Sequence, residues 1–126
     1  MNFKVNLNSF SEATRCAIIQ EIEDLHFLTE VLKNGTVAEK KAALENPNIT
    51  TYMISRRVED ESFEVRLKVA GLSRTKSEDL DILANDVHWK VRRRVIDNPN
   101  TLESTRKRLL NDICFSIRKA AEESIE

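Results

Sequence analysis

Aspartate and arginine stand six residues apart three times in this chain: Asp60 and Arg66, Asp86 and Arg92, Asp112 and Arg118. An arginine offers a planar fork of five donors, and an aspartate offers two acceptor oxygens. A row of free guanidinium groups would bind anions. Arginines that each hold a carboxylate and a backbone carbonyl would instead tie one part of the chain to the next. A second set of cations is less regular. Lys90, Arg93 and Arg94 crowd one segment, Lys68 lies one period before Arg94, and Lys119 one period after Arg93. Such a stripe suits phosphates or an acidic protein segment, and a plainly solvated helix face is the alternative.

Other reactive residue types are isolated. His26 and His88 have no second histidine at helical spacing with a carboxylate, so a zinc site lacks ligands. Cys16 and Cys114 are far apart, form no Cys-x-x-Cys motif and have no histidine partner. They read as buried or half-buried thiols of a reducing compartment. Two glycines could hardly build a phosphate-binding loop. No catalytic apparatus, metal site or cofactor site is expected, and the chain reads as a non-enzyme. Trp89, in phase with Phe63 and Phe115, is expected in the core, with a stacking platform for a base as the minority reading.

The elements that must position these groups recur every 26 residues. Asn34, Asp60, Asp86 and Asp112 start the copies. Val37, Phe63, Trp89 and Phe115 follow three residues later; Lys40, Arg66, Arg92 and Arg118 six later; Ala43, Val69, Val95 and Ala121 nine later. A repeat of this length marks a solenoid whose units bury their apolar faces on one another. Each unit reads as two short helices. Leu80, Leu83 and Ala84 line one face of a helix from Ser77, and Asp86 can cap the next helix, which carries Val91, Val95 and Ile96. Asn98-Pro99, like Asn46-Pro47, stops it. Thr101 or Ser104 can start the helix that holds Leu109 and Leu110. The pattern over 11–33 is one bent helix or two helices broken near Asp24.

The expected organisation is one α-solenoid domain over 1–126. It has an irregular capping unit at 1–33, repeats at 34–59, 60–85 and 86–111, and a half-repeat at 112–126. Glu122 stands where Leu44, Ala70 and Ile96 fill an apolar stacking position, and Glu123 and Glu126 follow, so the array reads as finished, with a piece of a longer array as the alternative.

Charged residues make up 33 % of the 126 residues, with a net charge of −1, which argues against a dedicated non-specific nucleic-acid binder. The charge is uneven, however. Residues 86–119 carry 9 Lys/Arg against 4 Asp/Glu, and residues 1–65 carry 7 against 11. No basic segment followed by a long apolar run occupies Met1 to Phe10, and no stretch approaches a membrane span. A cytoplasmic protein is expected.

Leu80, Leu83, Ala84, Asp86, Val91, Arg92, Val95, Asn98 and Pro99 match a Leu-x-x-Leu-Ala-x-Asp, Val-Arg, Val-Ala-x-Asn-Pro pattern. Residues 28–126 thereby resemble HEAT-like repeats, and more closely the variant leucine-rich repeat of bacterial proteins. The resemblance implies a right-handed α-solenoid that serves as a binding surface. It implies that Asp60, Arg66, Asp86, Arg92, Asp112 and Arg118 form a structural ladder through the stack. It also implies that the second helices line a groove rimmed by Lys68, Lys90, Arg93, Arg94 and Lys119. The expected function is a protein-interaction scaffold whose partner is another protein, such as an acidic segment. Nucleic-acid binding by the same stripe is the alternative. The second repeat departs from the pattern, with Gly71-Leu72-Ser73 where Asn-Pro is expected, and the first has Asn34, Glu39 and Lys40.

Overall fold

Residues able to satisfy free backbone N–H groups mark where the helices begin. The computed structural model describes residues 7–125, and every regular element among them is an α-helix. The readings on Met1 to Asn6 and on Glu126 fall outside the described residues. The helices are α1 (Glu12–Ile19), α2 (Leu25–Asn34), α3 (Val37–Leu44), α4 (Thr51–Ser55), α5 (Phe63–Gly71), α6 (Ser77–Leu83), α7 (Trp89–Asp97), α8 (Glu103–Leu109) and α9 (Phe115–Ile125). None is long and apolar enough to cross a membrane.

The N-terminal pattern is two helices. Ser11 caps α1 by accepting from the Thr14 N–H, and the Asp24 carboxylate caps α2 by accepting from His26 and Phe27. Thr36 and Glu39 close a reciprocal capping box at the start of α3. Thr50 caps α4. The α6 and α8 helices begin without such a bond, at Lys76 and Leu102. Thr101, one of the two expected starts of α8 with Ser104, instead turns its hydroxyl back onto the Val95 carbonyl at 2.6 Å, as Thr75 does onto Val69 at 2.5 Å, and Ser104 lies inside α8. Each bond adds a second donor to a carbonyl in the last turn of α7 or α5 that already accepts the N–H of Asn98 or Leu72.

With 5 to 11 residues each, the helices are shorter than the roughly 12–15 residues at which isolated helices become marginal. Their stability comes from packing. The chain divides into two compact units after Ile49. In the first, α3 packs on α1 and α2 around Ile19, Leu28 and Ala43. In the second, α7 packs on both α5 and α9, with α6 against α5 and α7, and α8 against α9. Val65, Val69, Leu80, Val91, Val95, Ile117 and Ala121 are fully buried there. Burial of each valine, leucine or isoleucine contributes about 1.5–3 kcal/mol.

The aromatic row departs from expectation. Trp89 is 48 % exposed and Phe115 is 70 % exposed; Phe63 is half-buried. All three are the first residues of their helices. The core-facing Val65, Val91 and Ile117 come two residues later, about 200° around the helix at 100° per residue. The 26-residue phase of these aromatics therefore reports a repeated surface position.

Candidate functional site

The Asp/Arg geometry in the second unit connects consecutive repeats. Arg66 donates Nε to Asp86 Oδ2 at 2.7 Å and Nη2 to Asp86 Oδ1 at 3.3 Å. Its Nη1 donates to the Asp60 backbone carbonyl at 2.6 Å. Arg92 repeats the pattern, with Nε to Asp112 Oδ2 at 2.7 Å, Nη2 to Asp112 Oδ1 at 3.2 Å, and Nη1 to the Asp86 carbonyl at 2.8 Å. Arg118 donates Nη1 to the Asp112 carbonyl at 2.7 Å. The arginine six residues on thus takes the carbonyl of its own repeat's aspartate, while the carboxylates of Asp86 and Asp112 receive the arginine of the preceding repeat and that of Asp60 receives Arg57.

Each aspartate also accepts a backbone N–H two residues later: Ser62 to Asp60, His88 to Asp86 and Cys114 to Asp112, at 2.9–3.0 Å. The acid therefore closes a turn just before the helix, and His88 caps α7 by accepting from the Lys90 N–H at 3.2 Å. Burial alone would raise the Asp112 carboxyl. The Arg92 hydrogen bond, the Cys114 N–H and the positive charges of Arg92 and Arg118 outweigh it and hold the carboxyl below its ordinary range. Arg92 is pushed up, chiefly by its hydrogen bond to Asp112 and against the effect of burial. With all three nitrogens of Arg66 and Arg92 engaged, neither presents an open fork to an incoming phosphate.

A second set of cross-links had no side-chain partner to betray it in the sequence. Buried Asn46 donates Nδ2 to the Ile19 and Ile22 carbonyls, both at 2.8 Å. Buried Asn98 donates to Ala70 at 2.8 Å and Leu72 at 2.9 Å. The Oδ1 of each accepts the N–H two residues on, from Asn48 and Asn100. Asn100 extends the clamp to the Ser73 and Thr75 carbonyls. The asparagine of each Asn-Pro pair is therefore a clamp on the end of the preceding second-type helix or its equivalent, besides marking a helix stop.

The five basic candidates lie in different settings. Lys90 and Arg94 are exposed one turn apart on α7, and Lys119 is exposed on α9. Arg93 pairs with Asp97 at 2.8 Å, and Lys68 is half-buried on α5. Arg94 lies across Gly71: a Cβ on that glycine would sit 3.0 Å from Arg94 Nη1 and 3.5 Å from its Cδ. The glycine that breaks the sequence pattern thus provides a bed for Arg94. Of the other basic run, Arg106 donates to the Asn98 carbonyl at 2.9 Å, and Arg108 bonds the Asp81 carboxylate, which also accepts from Thr105. That Arg108 bond, followed by the one from Thr105, holds the Asp81 carboxyl low. Lys107 lies 3.8 Å from Glu103 at the surface.

The apolar edge is what sequence reasoning missed. Val87 is 92 % exposed and Ile113 is 89 % exposed, one period apart and each two residues before an exposed aromatic. His88 lies flat on Phe63, with ring centroids 3.9 Å apart and an interplanar angle of 5°, and Trp89 follows at 6.5 Å. Lys90 Nζ stands 5.9 Å from the centre of the Trp89 ring, and the Arg118 guanidinium 5.7 Å from that of Phe115. The turn position of Val87 and Ile113 was the available signal, since a β-branched residue beside a turn aspartate has no core to face.

An open depression of about 320 Å³ lies among Asp86, Arg92, Arg108, Asp112 and Ile113. Its charged groups are already paired: Asp86 with Arg66, Asp112 with Arg92, and Arg108 with Asp81. Among the described residues, no group of three or more His, Cys, Asp or Glu is arranged to hold a metal ion. Cys16 and Cys114 are free and half-buried. Burial, with Glu12 and Glu39, pushes the Cys16 thiol up against the opposing effect of Arg15, which keeps it in its unreactive protonated form. Comparison with protein families, curated proteins and solved structures finds no match for this chain.

Proposed function

We propose that this chain is a non-catalytic protein-interaction module, built as an α-solenoid of HEAT-like two-helix repeats. The observation that carries the reading is the exposed apolar edge of Val87, Trp89 and Ile113 on the second unit. Exposed apolar groups that cluster in one place mark interaction sites, and tryptophan is the side chain most enriched among binding hot spots. The 26-residue phasing and the packing of α7 on both α5 and α9 support the solenoid. Lys68, Lys90, Arg93, Arg94 and Lys119 act as rim charges that favour an acidic partner and raise the association rate. Two unpaired cysteines support a cytoplasmic home.

The test is affinity capture from native extract with the wild-type chain, Trp89→Glu and Lys90→Glu/Arg94→Glu as baits. Trp89→Glu should abolish capture of the wild-type partner, and the charge-reversed bait should retain it with slower association. A partner bound equally by wild type and Trp89→Glu would overturn the reading. Nucleic-acid binding is the second reading, favoured by a cation above an exposed tryptophan. It requires a low-salt gel shift with duplex or single strand, and affinity that falls linearly on a log–log salt plot.

A further inference from the structure

Eleven residues after each repeat start stand Glu45, Gly71, Asp97 and Glu123, so one copy lacks the acid that the others carry. The backbone does not require that glycine. Gly71 is the last residue of the α5 helix, and no described glycine has a positive φ. What the missing side chain permits is a close approach. A Cβ there would meet Arg94 Nη1 at 3.0 Å, Cδ at 3.5 Å and Cγ at 3.6 Å, so the Arg94 side chain lies along the glycine for most of its length. The C-terminal end of α5 is the negative pole of that helix and favours a cation there. Among the described residues Arg94 has no hydrogen bond or ion pair, whereas Arg93 beside it pairs with Asp97. Because α7 packs on both α5 and α9, Arg94 is open in the middle of the stack.

Resting on the interaction-module reading, we infer that Arg94 is a preset receptor for a carboxylate on an acidic segment of a separate protein, and that Gly71 is the positioning residue that keeps it open. Seated on the glycine, the guanidinium loses little freedom when a ligand arrives. Its exposed N–H groups can take a carboxylate through two charge-assisted hydrogen bonds. Lys90, exposed one helical turn earlier on α7, adds a second positive charge to the approach. The chain's own repeats name the ligand: what the second copy lacks, and the others carry at this place, is a carboxylate. Exposed Asp97, three residues beyond Arg94, and the negative end of α5 both put negative charge near the seat. A run of phosphates is repelled by them more than a single carboxylate is. An acid at position 71 would fill the receptor from within, since even its Cβ would touch the guanidinium.

The test uses the whole chain and acetyl-tetraglutamate amide at low salt, followed through the Nε–H resonances of the protein's arginines. The expected result is a saturable titration that moves the Arg94 Nε–H and leaves those of Arg66 and Arg92 in place. Arg94→Gln should weaken binding about two- to fivefold. Gly71→Asp should weaken it as much, and in that variant without peptide the Arg94 Nε–H should already lie toward its peptide-bound position. Ser73→Asp adds the same charge two residues on and should weaken binding less. Gly71→Ala, which adds no charge, should displace the Arg94 Nε–H and weaken binding while leaving the thermal transition in place or raising it. Absence of an Arg94 shift at millimolar peptide would overturn the proposal. So would equal weakening by Gly71→Asp and Ser73→Asp, or full affinity in Gly71→Ala and Gly71→Asp. A thymidine oligonucleotide that moves Arg94 at lower concentration than tetraglutamate would overturn it in favour of nucleic acid. Self-association abolished by Arg94→Gln would overturn it in favour of a second copy. Trp89→Glu separates the two readings. If Arg94 does not respond while Trp89-dependent capture persists, the receptor falls and the module stands. If Arg94 responds as expected but capture is indifferent to Trp89, the receptor stands and the apolar-edge reading falls.

Discussion

Arg92 and Arg93 are sequence neighbours whose environments are opposite. The Arg92 side chain is 10 % exposed and holds Asp112, itself 5 % exposed. Arg93 is 40 % exposed and pairs with Asp97 one helical turn away. Truncating Arg92 leaves a buried carboxylate without its partner, which costs about 3–5 kcal/mol. Truncating Arg93 removes a surface pair worth about 0.3–0.5 kcal/mol. Arg92→Ala should therefore lower the urea midpoint far more than Arg93→Ala, and equal losses would contradict a structural role for Arg92. The six-residue spacing of Asp and Arg was legible, as was the capacity of one guanidinium for both a carboxylate and a carbonyl. Which aspartate each arginine would take was not. The carboxylate partner lies 20 residues away in sequence, a separation that only packing of consecutive repeats produces.

At the scale of elements, the ends of short helices matter more than their interiors. The α5 helix leaves carbonyls open at its C-terminus, and Asn98, 26 to 28 residues later, closes two of them from within the core. Asn98→Ala should orphan the Ala70 carbonyl and leave Leu72 only the Thr75 N–H, at about 1–3 kcal/mol for the buried group left unsatisfied. Pro99 is exposed, and Pro99→Ala should cost well under that. Thermal unfolding of the two variants decides the matter, and a larger loss from Pro99→Ala would show that chain stiffness outweighs the clamp. Helix existence was readable from apolar spacing, which left one bent helix or two broken near Asp24 undecided over 11–33. The clamps were hidden because their acceptors are backbone carbonyls, which every residue has and no sequence pattern distinguishes. Trp89 was misread for a related reason. Its phase with Phe63 and Phe115 is real, but period alone does not say which side of a helix start meets the core.

For the molecule as a whole, the depressed carboxyls make stability fall in acid. Asp112 and Glu39 are both held below their ordinary values; in each case burial acts the other way and hydrogen bonds with nearby positive charge prevail. Glu39 owes its shift to Thr36 and Arg15. A carboxyl whose folded value lies below its unfolded one, about 3.9 for Asp and 4.3 for Glu, stabilises fully above that range. The contribution is lost as pH falls through the unfolded value toward the folded one. Chemical denaturation between pH 6 and pH 3, values chosen to be roughly either side of that range, should show a shallower acid decline in Asp112→Asn than in wild type. Parallel curves would contradict the shift. The helical class and the repeat period could be read from apolar spacing and sparse glycine and proline. The division after Ile49 could not, because no linker composition marks it. The direction of the arginine bonds has one more consequence. Every rung is written by one copy and read by the next, so 26 residues behave as an insertable word. Duplicating residues 86–111 in frame before Asp112 gives Arg92 the new aspartate and gives Asp112 the new arginine, leaving no rung broken. That longer chain should fold cooperatively with helical content raised in proportion, by circular dichroism, whereas the same insertion shortened by one residue should not. A gene for such a protein can grow by copying errors of one length and is intolerant of the lengths on either side.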